Sequence, residues 1–203
     1  MRLGLLGPAQ GNLDGLARTA ERMLNGAKVT RAVYLGADDA IEELVQTWAE
    51  SLVGSDPSDD GLWERALVVA ASGSPAQLDA FSRSERARRR LRALERLPTP
   101  ELRTAEMLGE RVAVILYDKA KLDEEDIYSA TFLIYGKGDA PLVRKIGPRW
   151  FLSPGPIGCP GGGGLVIDDT GDELTATIHD VDGRAAMTEK LGSRSAVKMS
   201  VKG

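Results

Sequence analysis

A mixed α/β sandwich is the fold class that this chain predicts, and three observations point to it. Apolar runs of strand length recur along it, at residues 3–6, 32–35, 67–70 and 111–116. Stretches with helical periodicity separate the early runs. After about residue 141 the pattern changes to short strands and turns, which suggests an antiparallel half. Strands covered on both faces read as unbroken apolar runs, whereas strands with one wet face alternate, so this mixture predicts sheets flanked by helices.

Each element has its own warrant. Residues 3–6 form a short buried strand, and residues 13–24 an amphipathic helix with Leu13, Leu16, Ala17, Ala20 and Leu24 on one face. Asn12 suits its N-cap and Gly26 its stop. Residues 32–35 make the second strand. Residues 40–52 are helical, with Ile41, Leu44, Val45, Trp48 and Leu52 aligned, and residues 55–61 are an exposed loop by composition. The run at 67–70 reads as a third strand that turns at Ser72, Gly73 and Ser74. Residues 83–96 read as a helix with Leu91 and Leu94 on its buried side. Later strands are expected at 111–118, 131–135, 142–146, 150–152, 164–167 and 174–180. The sequence therefore divides into one domain over 1–183 and an extension over 184–203, expected as an added helix with a loose end.

Composition excludes several classes of function. A chain of 203 residues, 42% hydrophobic and 28% charged, can bury a sizeable single core and is not a disordered protein. A net charge of −4 gives no global attraction to nucleic acid. The apolar runs fall far short of the roughly 20 residues that cross a bilayer, which excludes a helical span. The chain enters a strand at once, without the charged start and apolar centre of an export signal, so the expected location is the cytoplasm. Its one cysteine, Cys159, excludes an intrachain disulfide and a cysteine-based zinc cluster.

Five ordered blocks carry a family resemblance. The first is Met1 to Leu16, with Gly11, Asn12 and Leu13 after a buried strand, followed by the strand that ends at Gly36, Ala37 and Asp38. The next are residues 66–76, residues 111–118 ending in Tyr117 and Asp118, and residues 131–141 with Gly136, Lys137 and Asp139. The last is Trp150 to Gly158, a strand running into Ser153, Pro154 and Gly155. Together they resemble the calcineurin-like metallophosphoesterases, in particular the branch of small bacterial phosphodiesterases. The resemblance implies an αββα sandwich of mixed sheets flanked by helices. It also implies a site at Pro8, Gln10, Asn12, Ala37, Asp38, Ser74, Tyr117, Asp118, Lys137 and Asp139, where most of the family's metal ligands have been replaced. Pro8 stands where the family has an Asp, Gln10 where it has a His, Ala37 where it has the bridging Asp, and Lys137 and Asp139 where it has its last two His. If packing has taken over these positions, Pro8 and Tyr117 should be buried and should fill the space of metal and water.

The chemistry reads the same way without the family. A two-metal hydrolytic site needs about six to eight donors around ions roughly 3.5 to 4 Å apart. The chain has one histidine, His179, in a late strand, where a half-buried or surface role is expected. An oxygen-only Mg²⁺ or Mn²⁺ site from Asp38, Asp39, Asp118 and Asp139 is the enzymatic alternative, since hard cations accept carboxylates alone. Lys119 and Lys137 could instead hold a phosphate or nucleotide, or neutralise Asp118 and Asp139. The run from Cys159 to Gly164 fits no phosphate-loop spacing and reads as a flexible loop. Seven arginines lie within residues 83–96, and Arg83, Arg86, Arg89 and Arg90 form a candidate surface for an acidic partner, either another protein or, through the acidic loop at Asp56 to Asp60, a second copy. No aromatic residues interleave with them, which argues against nucleic acid. The sequence thus points to a catalytically inactive metallophosphoesterase-like protein that binds or scaffolds another protein, with no catalytic residue, metal or cofactor assigned. One precedent within that fold, the retromer subunit, is similar in size and serves protein assembly.

Overall fold

A computed structural model describes residues 1–54, 57–58, 60–98 and 103–193. Two mixed sheets stack face to face. The first has six strands: β1 (Arg2–Leu6), β2 (Arg31–Tyr34), β3 (Leu94–Arg96), β9 (Gly164–Asp168), β10 (Glu173–His179) and β11 (Ala185–Ser193), in the order β11-β10-β9-β1-β2-β3. The second is β4 (Thr104–Leu108), β5 (Arg111–Leu116), β6 (Phe132–Tyr135), β8 (Arg149–Ser153) and β7 (Leu142–Ile146), in that spatial order. The pairings β1–β2, β2–β3, β5–β6 and β6–β8 are parallel, with β3 at one edge of the first sheet, and the remaining pairings are antiparallel.

Three apolar clusters show the layering. The largest lies between the sheets and takes alternate residues of facing strands, Leu3 and Leu5 from β1, Ile115 from β5 and Phe132 and Ile134 from β6. A second lies outside the first sheet, under α1 (Leu13–Asn25) and α2 (Ala40–Val53). A third covers the outer face of the second sheet, where Leu133 and Tyr135 meet Leu122 and Ala130 beside α5 (Glu124–Ser129). Strands β1, β2, β5 and β6 are thus covered on both sides, which is why they read as unbroken apolar runs.

Several sequence expectations are corrected. The run at 67–70 is not a strand but the inside of helix α3 (Leu62–Ser72), and Ser74 starts helix α4 (Pro75–Leu91). Ser74 accepts from the Gln77 amide while the Gln77 side chain accepts from the Ser74 amide, and Pro75 takes the first helical position, so the local signal is a capping box. Four apolar residues in a row could not separate strand from helix. The third parallel strand is instead β3, Leu94-Glu-Arg96, whose one buried apolar residue, Leu94, had looked like part of a helix face. Arg31 on β2 reaches Glu95 on β3 and Glu106 on β4, so ion pairs join the buried Leu94 in holding that edge.

The stretch after residue 184 is a strand, not a helix. β11 pairs antiparallel with β10. The remainder of that stretch, 194–203, lies outside the described residues, as do residues 55, 56 and 59 of the 55–61 loop. The glycine run is also no flexible loop. The Gly163 amide donates to Pro154 O at 2.8 Å, the Gly7 amide donates to Gly163 O at 2.9 Å, and a Cβ on Gly162 would meet Cys159 Sγ at 2.7 Å.

Candidate functional site

The C-terminal ends of β1, β2, β5 and β6 converge, and the loops that follow them build one cleft. Its lining residues are Pro8, Gln10, Ala37, Asp38, Tyr117, Lys137, Gly138 and Asp139, around about 470 Å³ of space. The fold therefore gathers most of the positions singled out from sequence. The strand ends can approach this closely because glycines stand where they touch. A Cβ on Gly136 would lie 2.0 Å from Leu35 O, and one on Gly7 would lie 1.8 Å from Gly155 O.

The turn after β1 sets the floor. Gln10 and Gly11 both have positive φ, 50° and 84°, and the Asn12 amide donates to Ala9 O at 2.9 Å, as in a type I′ turn. Gly11 takes that conformation freely, whereas Gln10 holds it at a cost of about 1–2 kcal/mol. Asn12 does not face the cleft. It caps α1, accepting from the Gly15 amide at 2.9 Å. Ser74 is absent from the lining, as its place at the start of α4 requires.

Three of the carboxylates in and beside the cleft have another occupation, whereas Asp139 is exposed at its rim. Asp38 accepts from the Tyr34 hydroxyl at 2.5 Å, and that hydroxyl accepts from the buried Ala9 amide at 2.9 Å. Burial and the Asp38 carboxylate push the Tyr34 phenol above its ordinary pKa. Asp39 pairs with Arg96 on β3 at 2.6 Å. Asp118 accepts from Lys137 at 2.5 Å and from the Ala120 amide at 3.0 Å; the lysine, then the amide, hold its pKa below the ordinary carboxylate range. The same bond raises the Lys137 pKa. Lys119 turns elsewhere, with its ammonium 5.0 Å from the centre of the Tyr135 ring. The two lysines do not converge.

Tyr34 is the site residue that sequence reasoning missed. It reads as an inner residue of the apolar run 32–35, yet its ring tucks under Gly36, where a Cβ would come within 2.3 Å of it. A tyrosine within an apolar run, two residues before Gly36 and four before Asp38, was the available signal.

These residues do not fit a metal pair. The cleft offers Asp38 and Asp139 with an ammonium between the strand ends, and among the described residues no three His, Cys, Asp or Glu side chains converge. His179 lies on β10, half-buried, with Nδ1 3.3 Å from Gly183 O. Cys159 packs against Gly155 and Gly162, and burial raises its thiol pKa, the opposite of what a nucleophile needs. One packing expectation is only half met: Pro8 is buried, but Tyr117 is half-buried at the rim and the cleft stays open. The reason is local, since Lys137 and Asp118 face solvent and keep the mouth polar.

No protein-family model matches the chain, and no curated protein matches it. Solved structures do. A predicted phosphoesterase from Streptococcus pneumoniae aligns at 17% identity over 94% of this chain and 97% of its own, with a TM-score of 0.46. Vacuolar protein sorting 29 from Cryptosporidium parvum aligns at 13% identity over 95% and 98%, with a TM-score of 0.47. An archaeal phosphodiesterase aligns at 9% identity over 94% and 99%, with a TM-score of 0.45. The likeness to these structures is one of fold. No helix among the described residues is long and apolar enough to cross a membrane.

The arginine-rich helix is α4. Arg83, Arg86, Arg89 and Arg90 are exposed on it, and among the described residues none has an ion-pair partner. Arg88 is buried beside Glu85, which also binds Arg65 of α3 at 2.9 Å.

Proposed function

We propose that this chain is a non-hydrolytic member of the metallophosphoesterase-like group, working as a binding or scaffolding module for another protein. The observation that carries the reading is the ion pair between Lys137 and Asp118 at the mouth of the cleft. A two-metal site needs carboxylates free to ligate, and a fixed ammonium beside them repels cations. Asp38 and Asp39 are likewise engaged, by Tyr34 and Arg96. The retained strands and glycines then serve architecture, not chemistry.

The partner surface in this reading is the outer face of α4. Four arginines on one helix, without ion-pair partners among the described residues, favour a partner with clustered carboxylates, which would raise the association rate in a salt-dependent way. A phosphate or nucleotide sensor is the weaker reading, because Lys119 and Lys137 point to different groups.

Thermal unfolding with and without 1 mM MnCl₂ tests the claim. A site with a dissociation constant near 10 μM would raise stability by about 2.7 kcal/mol at that concentration, an upward shift of several degrees in melting temperature. The expected shift is below about 1 °C. A shift of several degrees, abolished by Asp38→Asn, would establish a working oxygen-only site instead.

A further inference from the structure

The outer face of the second sheet carries a polar group that its own packing does not account for. Tyr135, the last residue of β6, is only 4% exposed and packs in the third apolar cluster, with Leu133, Leu142 and Phe151. Its hydroxyl has no hydrogen-bond partner among the described residues. A tyrosine this deeply buried ordinarily finds a partner for its O–H, so a bare one at the end of an apolar wall marks a place where a polar ligand is met.

Two cations flank it, one from each side in the strand order. Lys119, on the short helical turn that follows β5, holds its ammonium 5.0 Å from the centre of the Tyr135 ring. Arg144 comes from the β7 edge, two residues beyond Leu142 on the same face and opposite Phe151 of β8, and its charge acts on the Tyr135 phenol. Both cations are exposed, and among the described residues neither has an ion-pair partner. The carboxylate next to Lys119 in sequence, Asp118, is already neutralised by Lys137. Burial raises the Tyr135 pKa and outweighs Arg144, which lowers it, so the phenol keeps its proton at neutral pH and remains a donor.

The three groups present donors and positive charge: an ammonium, a guanidinium and one O–H. Such a set recognises an oxyanion. Two cations suit a dianion better than a carboxylate, and the planar fork of an arginine matches two oxygens of a phosphate. We propose that Lys119, Tyr135 and Arg144 form a binding site for a phosphate monoester group on the outer face of the second sheet. The proposal is independent of the reading of the cleft, because Lys137, which lines the cleft and binds Asp118, takes no part in it. The phosphate belongs either to a free small molecule or to a phosphorylated side chain of a partner; the recognising chemistry is the same.

Titration of the full chain at constant ionic strength with inorganic phosphate, and with O-phosphoserine both free and within a short peptide, tests this. Carbon-13 NMR of the tyrosine ζ carbons, which carry the hydroxyls, reads the site directly, and the Tyr135 signal is assigned by its loss in Tyr135→Phe. The expected result is a saturable shift of that signal. Calorimetry should give a dissociation constant that rises about tenfold or more in Tyr135→Phe, Lys119→Gln and Arg144→Gln and stays the same in Lys137→Gln. Tyr135→Phe should melt no lower than the wild type, because the hydroxyl it removes has no partner among the described residues, so its loss of binding is not a loss of fold. Tighter binding of the peptide than of free O-phosphoserine supports the site with a partner chain as its source, and equal binding supports it with a free phosphate compound. A Tyr135 signal that phosphate leaves unmoved overturns the proposal. So does binding that survives both Tyr135→Phe and Arg144→Gln, or binding that Lys137→Gln abolishes, which would place the anion in the cleft.

Discussion

Replacing Tyr34 by Phe removes one oxygen atom and leaves the ring volume unchanged, so no cavity forms and the effect isolates the hydroxyl. That hydroxyl satisfies the buried Ala9 amide and donates to Asp38. An amide left without a partner costs about 1–3 kcal/mol, and the lost bond to Asp38 adds less, because water can replace the donor at an exposed carboxylate. The expected loss is about 2–3 kcal/mol, or roughly 4–10 °C in melting temperature for a domain of this size. Urea denaturation at pH 7 measures it. The same substitution should change the alkaline behaviour. Because the folded state holds the Tyr34 phenol above its ordinary value, the unfolded chain releases that proton first as pH rises past about 10, and stability falls. Tyr135, also raised by burial, adds the same sign in both proteins, so the variant should lose only part of the slope. A Tyr34→Phe protein within about 0.5 kcal/mol of wild type, with the same decline above pH 10, would refute the account of this bond.

Other substitutions separate packing from chemistry. Gly7→Ala places a Cβ 1.8 Å from Gly155 O, backbone against backbone, and should abolish soluble folded protein or cost more than about 3 kcal/mol. Gly11→Ala meets nothing within 4 Å and suffers only from its positive φ, so its cost should stay at about 1–2 kcal/mol in the same unfolding assay. Lys137→Met removes the main cause of the low Asp118 pKa. Carbon-13 NMR of the Asp118 carboxyl should show its titration move up toward the ordinary range, and the stability this carboxylate contributes above that range should vanish less steeply as pH falls. An unmoved Asp118 titration would mean that the Ala120 amide, not the lysine, sets it.

How much of this was legible in the sequence depended on where burial speaks for itself. β1, β2, β5 and β6 are covered on both faces, and their apolar runs placed them correctly, together with α1, its Asn12 cap and its Gly26 stop. The loops after these strands brought Pro8, Gln10, Ala37, Asp38, Tyr117, Lys137 and Asp139 into one cleft, as their order implied. Ser74 failed because its strand was inferred from four apolar residues that a helix can also carry, and β3 was missed because it is three residues long with one apolar residue, Leu94, followed by two charged ones. Tyr34 was missed because a tyrosine inside an apolar run reads as one more core residue, and the pairing of its hydroxyl with the Ala9 amide and Asp38 is set only by the fold. The glycine run looked flexible by composition, yet backbone hydrogen bonds and close contacts pin it, and no sequence pattern distinguishes the two.

The central claim is that the cleft no longer hydrolyses, and metal content with turnover tests it most directly. Purified protein would be dialysed against Mn²⁺, desalted and measured by plasma mass spectrometry, with hydrolysis of a phosphodiester followed on the same sample. The account predicts well under one ion per chain and no turnover above that of a Lys137→Ala, Asp118→Ala double variant. About one or two bound ions, with Mn²⁺-dependent turnover that the double variant lacks, would contradict it.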